Sequence, residues 1–288
     1  MIKYDWIKEH RDEFSIGLMC RVIGVCRSAF YGWLKVPVRA RQQRRQAIVE
    51  EIKSIREEPF MDSYGSPRMV EELNARGTIV SQNTVAKVMK QADLSAAIKP
   101  RFVPTTTDSN HDHPIAPNVL DRDFSATGPN QKWVSDITYI HTDEGWLYLA
   151  GVMDCFSRMV VGWSMDTKMP ARLVCDALSM AIARRQPGEG LLHHSDRGVQ
   201  YACDQYQQLL GEHGIARSMS RVGNCYDNAM KESFWSSLKR EAINGRRFRT
   251  IAEARSLVFE YIEVFYNRKR RHSSLGFISP ESFEASQS

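Results

Sequence analysis

The chain has 288 residues, 42% of them hydrophobic, with 39 lysines and arginines against 34 aspartates and glutamates and a formal net charge of +5. That length and composition allow two or more domains with ordinary packed cores, and no run approaches the roughly 18 apolar residues of a membrane span. The opening MIKYDWIKEHRDEF is too charged for the apolar segment of a signal peptide, so we expect a soluble cytoplasmic protein with no membrane partner.

From Ser15 to Leu34 two short apolar helical patterns flank Gly24, a residue suited to the turn between them. The segment reads as a helix-turn-helix or, failing that, a plain helical hairpin. Its second helix would start near Arg27 and Ser28, which places their side chains where recognition helices meet base edges. A basic, Gln-rich stretch from Arg39 to about Glu57 holds neither glycine nor proline and has the composition of one helix.

From Ser66 the theme repeats. Pro67 falls in the first turn of SPRMVEELNARG, Gly77 lies past its end, and Ser81 caps a second helix whose Gln82, Asn83 and Lys87 are candidate base or phosphate contacts. Residues 99–126 then lose periodicity and gain prolines, as a linker does. The His111, Asp112, His113 run inside it is read as linker composition. The boundaries expected are a helix-turn-helix with a basic helix over 1–56, a second helix-turn-helix over 57–98, the linker, and a catalytic core with a C-terminal helix over 127–288.

The core carries three acids in unusual settings. Asp136 stands inside the β-branched and aromatic run QKWVSDITYIHT, where an ionised carboxylate taken out of water costs several kcal/mol unless something positive meets it. Asp196 ends a short apolar run just before Gly198, at the strand end where α/β sheets gather ligands. Glu232 lies in DNAMKESFWSSLKREAI, a run of good helix formers opened by Asp227 or Asn228 as cap. Lys239 follows two helical turns later on the same face. If these acids converge, their repulsion asks for a divalent cation. Oxygen ligands without Cys or His suit Mg²⁺, or Mn²⁺ in its place, at a phosphoryl-transfer site. Asp154, at a strand end in DCFSR, is read as a structural turn residue, and His194 as either a substrate contact or a hydrogen-bonded structural histidine.

Between these acids, strand, turn, strand, strand, helix is the predicted order, with ARLVCDALSMAIARR an amphipathic helix. The loop SRVGNCYDN, with Gly223 and Asn224, leads into the Glu232 helix. The final long helix would bury most of Phe259, Tyr261, Phe265 and Tyr266. After it RKRRHSSLGF is expected at the surface, with Arg268, Arg270 and Arg271 gripping phosphates, and Pro280 ends the ordered part. The six cysteines include no Cys-x-x-Cys pair and are read as thiols, with no zinc module.

The strings WVSDITY, HSDRGVQY, GNCYDNAMKESFWSSLK and YNRKRRHSSLG, in that order, resemble the transposases of bacterial insertion sequence family 3, second reading frame type. Their core is similar to retroviral integrases. Thirty-five residues stand between Asp196 and Glu232, as in the family's Asp, Asp, thirty-five, Glu signature. The resemblance implies an α/β, ribonuclease-H-like integrase core preceded by all-α helix-turn-helix modules. It further implies Asp136, Asp196 and Glu232 as catalytic metal ligands, and Lys239 as a DNA contact. The implied activity is DNA cleavage and joining at insertion-sequence ends. The partners implied are terminal-repeat and target DNA, further copies of the chain on that DNA, and the product of a short upstream reading frame; the protein would associate with the nucleoid. A ribonuclease-H-class hydrolytic nuclease and a sequence-specific regulator with an inactive core are the alternatives.

Overall fold

Helix α1 (Ile2–Glu9) opens the chain ahead of the first expected pair, α2 (Ile16–Ile23) and α3 (Arg27–Lys35). Ser15 caps α2 by accepting the Leu18 N–H, and Gly24 closes it in the left-handed region at φ 68°. Ile7, Met19, Cys20 and Phe30 form the buried centre of these three helices. This is a computed structural model, and it describes residues 2–35, 38–96, 114–221, 227 and 229–287. The chain divides into two compact units, residues 1–57 with 65–95 and residues 58–64 with 96–288.

The basic stretch forms one long helix, α4 (Val38–Glu57), which packs with α5 (Ser66–Ala75) and α6 (Gln82–Gln91). Its Ile48, Ile52 and Ile55 are buried at the four- and three-residue steps of one helix face. Long-range bonds tie it down. Thr78 Oγ1 donates to Glu51 Oε2 at 2.7 Å, and Arg56 donates to the Leu94 carbonyl at 3.0 Å. Ser81 caps α6 as expected.

In the second unit β1 (Lys132–Thr142), β2 (Gly145–Asp154) and β3 (Val160–Asp166) run antiparallel, and β4 (Leu192–Ser195) and β5 (Ala216–Met219) add parallel to β1. The sheet order β3-β2-β1-β4-β5 is the ribonuclease-H-like arrangement expected from the sequence. Helix α7 (Ala171–Arg185) connects β3 to β4 and lies on β2 and β3. A Cβ at Gly162 would collide with the Ala177 carbonyl and with Ala181, so the closeness of this packing requires glycine. Short helices α8 (Val199–Ala202) and α9 (Asp204–Glu212) lie between β4 and β5.

Helix α10 (Ala229–Leu238) runs on into a π turn over Lys239–Ile243, and α11 (Ile251–Phe259) into another over Glu260–Tyr266. Tyr261, Phe265 and Tyr266 are buried, whereas Phe259 is exposed. The segment 58–64, expected with the second helical module, groups with this unit instead. Phe60 meets Tyr261 edge-on at 5.2 Å and Phe265 at 5.2 Å, and the Tyr64 hydroxyl accepts the Arg271 N–H at 2.9 Å. Pro280 was expected to end the ordered chain. It opens helix α12 (Pro280–Gln287) instead, and Glu284 of that helix pairs with Arg185 at 2.7 Å.

Candidate active site

Parallel pairing of β1 with β4 ends at Val134 opposite His194. Two residues further on each strand stand Asp136 and Asp196, where the strands part. The two acids line one small cavity of about 10 Å³ with Met169, Gln200 and Tyr201, room for one water-sized species. Asp136 Oδ1 accepts the Ile137 N–H at 2.8 Å and Oδ2 the Trp235 indole N–H at 3.0 Å; Asp196 Oδ1 accepts the Gly198 N–H at 2.9 Å. Burial first, and the negative charge of Asp196 second, hold the Asp136 carboxyl well above the usual carboxylate range. A cation between the two acids would reverse both effects.

Helix α10 supplies what faces Asp136. Trp235 and Lys231, four residues apart on one side of the helix, both point toward β1 and β2. The Lys231 side chain is fully buried, and its ammonium has no hydrogen-bond partner among the described residues. It lies 4.4 Å from the Trp235 ring centroid and 4.7 Å from that of Phe234. Glycine at 151, opposite Asp136 in the ladder, leaves the room, since a Cβ there would fall 2.6 Å from Lys231 Nζ. Burial pushes this ammonium down to about 7, and Asp136 acts in the opposite direction.

Glu232, the next residue, is exposed on the same helix. Thus Asp136 and Asp196 come together, while among the described residues no three acidic, His or Cys groups gather closely enough to hold an ion. Lys239 begins the π turn with its Nζ 5.3 Å from the Tyr139 ring centroid. Burial lowers its pKa and the Asp136 charge acts to raise it. Asp227, one of the two residues offered as the helix cap, is buried and accepts from Arg221 at 3.1 Å, Arg122 at 3.0 Å and Asn118 at 2.9 Å. Asn228, Gly223, Asn224 and the His111–His113 run lie outside the described residues.

Two other acids and bases resolve as structural. Asp154 is buried, accepting the Asn130 and Phe156 N–H groups with Arg185 at 3.3 Å. His194 is buried between the Ser218 and Ser220 hydroxyls at 2.8 and 3.0 Å.

The expected DNA contacts divide by exposure. Arg27 and Ser28 are exposed at the start of α3, as are Gln82, Asn83 and Lys87 on α6. Arg268 is exposed, 3.9 Å from Glu281, and Arg271 is half-buried and donates to the Phe277 carbonyl at 3.0 Å. Arg270 corrects the expectation of a surface cation. It is 2% exposed and donates to both Glu241 oxygens at 2.7 Å, while Tyr261 donates to the same carboxylate at 2.8 Å. Burying this guanidinium is tolerable only with such a bidentate partner. Lys231 and Trp235 went unnoticed in the sequence, although their four-residue spacing beside Glu232 was the available signal.

Known proteins match along nearly the whole chain. An integrase core domain model covers residues 126–225, a second integrase core domain model 213–280, and an HTH-like domain model 43–102. The transposase InsF for insertion sequence IS3A of Escherichia coli (strain K12) is 46% identical over 286 residues, 98% of each chain. A 31 kDa protein of insertion element IS600 from Shigella sonnei is 45% identical over 265 residues, 92% of this chain and 97% of that one. Among solved structures, the HTLV-2 integrase catalytic core domain in complex with magnesium (trimeric form) aligns at a TM-score of 0.42 and 14% identity, over 56% of this chain and 99% of that one.

Proposed function

The chain belongs to the IS3 family of transposases, with an integrase core and an HTH-like domain, and from that premise we propose a site and a chemistry for its DNA transposition. Asp136, Asp196 and Glu232 hold divalent metal, Mg²⁺ or Mn²⁺, and catalyse cleavage and joining at the insertion-sequence ends. The observation that carries this reading is the meeting of Asp136 and Asp196 in one cavity at the point where β1 and β4 separate. An all-oxygen donor set and a carboxyl whose proton affinity is raised by burial first and by a second acid next suit a hard cation. When bound, the metal supplies a polarised phosphate and an activated oxygen nucleophile. The two metal positions and the closing of Glu232 onto the site are part of the proposal.

The chain's own residues do the positioning. Trp235 and the Ile137 amide hold the two Asp136 oxygens, and the Gly198 amide holds Asp196. Lys239, on the same helical segment as Glu232, offers a point charge to a phosphate oxygen near the acids. A water first attacks the phosphodiester at the element end and frees a 3′-hydroxyl, which then attacks target DNA. The helical unit reads the terminal repeats, through Arg27 and Ser28 and through Gln82, Asn83 and Lys87, and Arg268 and Arg271 contact phosphates. Several copies, with an upstream reading-frame product, assemble on that DNA. Among the described residues no helix is long and apolar enough to cross a membrane.

Asp136→Asn, Asp196→Asn and Glu232→Gln should each abolish both cleavage and joining of an element-end duplex in Mg²⁺ while DNA binding persists. Near-normal activity of any one variant removes that residue from the site. Hydrolysis without joining by the unmodified protein would make it a nuclease.

A further inference from the structure

Past Val134, β1 pairs only with β2, since its ladder with β4 ends at Val134 opposite His194. Rings cluster along this hairpin, among them Tyr139, which meets its cross-strand partner Tyr148 edge-on at 6.4 Å. Tyr139 and Trp146 meet edge-on at 4.9 Å, and His141 and Trp146, directly paired across the strands, at 5.0 Å. Trp146 is 44% exposed and His141 is exposed as well. The fold leaves His141 and Trp146 open at the surface, with Tyr139 half-buried beside them under Lys239.

Positive charge flanks the row. An open cleft of about 500 Å³ lies between the hairpin and residues 243–248, lined by His141, Asp143, Arg246, Arg247 and Phe248. Asp143 is matched by Arg247 at 3.1 Å, which leaves Arg246 as the surplus charge of the cleft. Lys239 stands over Tyr139 on one side and feels the Asp136 charge on the other. It therefore links the rings to the catalytic acids. Tyr139 follows Asp136 by three residues of strand, about 10 Å, or about three stacked nucleotides at the ~3.4 Å rise of one strand; the odd step turns its ring to the other face of β1, and Lys239 reaches toward both.

We propose that Tyr139, His141 and Trp146 form a stacking platform for unpaired bases of the DNA strand that passes the catalytic carboxylates, with its phosphates held by Lys239 and Arg246. The inference rests on the transposase site proposed above and adds the form of DNA it takes. Exposed rings edged by cations fit single-stranded nucleic acid, because every unpaired base offers a π-face. Bases inside an intact duplex offer none to such a row. The surplus positive charge in the cleft selects a polyanion over an apolar protein surface.

The test uses the full chain without divalent metal, so binding is read apart from catalysis. Two duplexes of one sequence serve as probes, one fully paired and one with a short unpaired tail carrying 2-aminopurine. Trp146→Leu keeps apolar bulk on the hairpin and removes the stacking face, and His141→Leu repeats the change from the opposite strand. Each variant should bind the tailed duplex about tenfold more weakly, bind the paired duplex as the unmodified protein does, and lose most of the 2-aminopurine quenching. Trp146→Phe should keep the quenching. Equal weakening on both duplexes, or unchanged binding and quenching with the tail, overturns the platform. The carboxylate variants are judged separately by cleavage, so either idea can fail without the other.

Discussion

Asp136 has a negative neighbour in Asp196 and a positive one in Lys231, and the ammonium is fully buried. It has aromatic faces around it and no hydrogen-bond partner among the described residues. A buried ammonium without a hydrogen-bond partner is costly, and Asp136, raised to about 7 by burial and by Asp196, can take a proton once the lysine is gone and keeps its two N–H donors, so an apolar side chain of similar length leaves no buried charge unpaired. Lys231→Met should therefore raise stability by about 1–2 kcal/mol in metal-free chemical denaturation; a loss of comparable size would mean that the ammonium and Asp136 act as a true ion pair. The meeting of Asp136 and Asp196 was legible in the sequence, because each acid interrupts or ends a local strand pattern. Lys231 was not, since its burial depends on Gly151 from a strand some eighty residues earlier. Arg270 was misjudged for the same reason. Its partner Glu241 is 29 residues away, and a run of basic residues looks the same whether or not one of them turns inward.

His193 carries a pH dependence of the fold. Its Nε2 meets the Ser135 hydroxyl at 2.7 Å and the Tyr206 hydroxyl at 3.0 Å, and burial, with His194 adding to it, pushes its pKa down to about 3. The folded state thus holds it neutral while the unfolded chain takes a proton below about 6.5. Its contribution is complete above that pH and is lost as the pH falls toward 3. At pH 4.5 the loss is about 2–3 kcal/mol. Denaturation at pH 7 and pH 4.5 should show His193→Gln losing less between the two than the unmodified protein does. Parallel slopes would mean that the ring already protonates inside the fold.

Helix α7 and strand β3 show how much one contact can demand. Since no Cβ fits between Gly162 and the backbone of α7, Gly162→Ala should cost about 3 kcal/mol by overpacking, read from a shift in the thermal midpoint of the core. A variant as stable as its parent would show that α7 can slide. The order of strands and helices was readable because each segment declares its own period, two for β1 and near 3.6 for α7. What the pattern lacked was any sign of where elements continue. Pro280 is as suited to opening a helix as to ending order, and it opens α12. Lys239 and Tyr266 stand in π turns that prolong α10 and α11, and a period of 3.6 extended through them misplaces side chains by part of a turn.

Across the whole chain, the helical unit and the integrase core divide the recognition of DNA between them in our proposal. Gln82→Ala combined with Lys87→Ala leaves the buried side of α6, with Val85, Val88 and Met89, untouched. It should erode the preference for element ends over random duplex, and the lost lysine should reduce the salt slope by about one. Measured over a salt series, an unchanged preference would move recognition to α3. The division into units was only partly readable in advance, because boundaries were drawn along the sequence while the fold groups residues 58–64 with the far end of the chain.

That grouping bears on how such a protein can evolve. Phe60 and Tyr64, buried among Tyr261, Phe265 and Arg271, are encoded between two helices of the other unit. A single genetic crossover in the linker would join a new helical reader to a core stripped of two aromatic side chains. Recombination can exchange the reader cleanly only if the incoming gene brings its own matching seven-residue stitch. Lineages should therefore inherit reader and core together, and change their DNA preference by point substitution more readily than by shuffling.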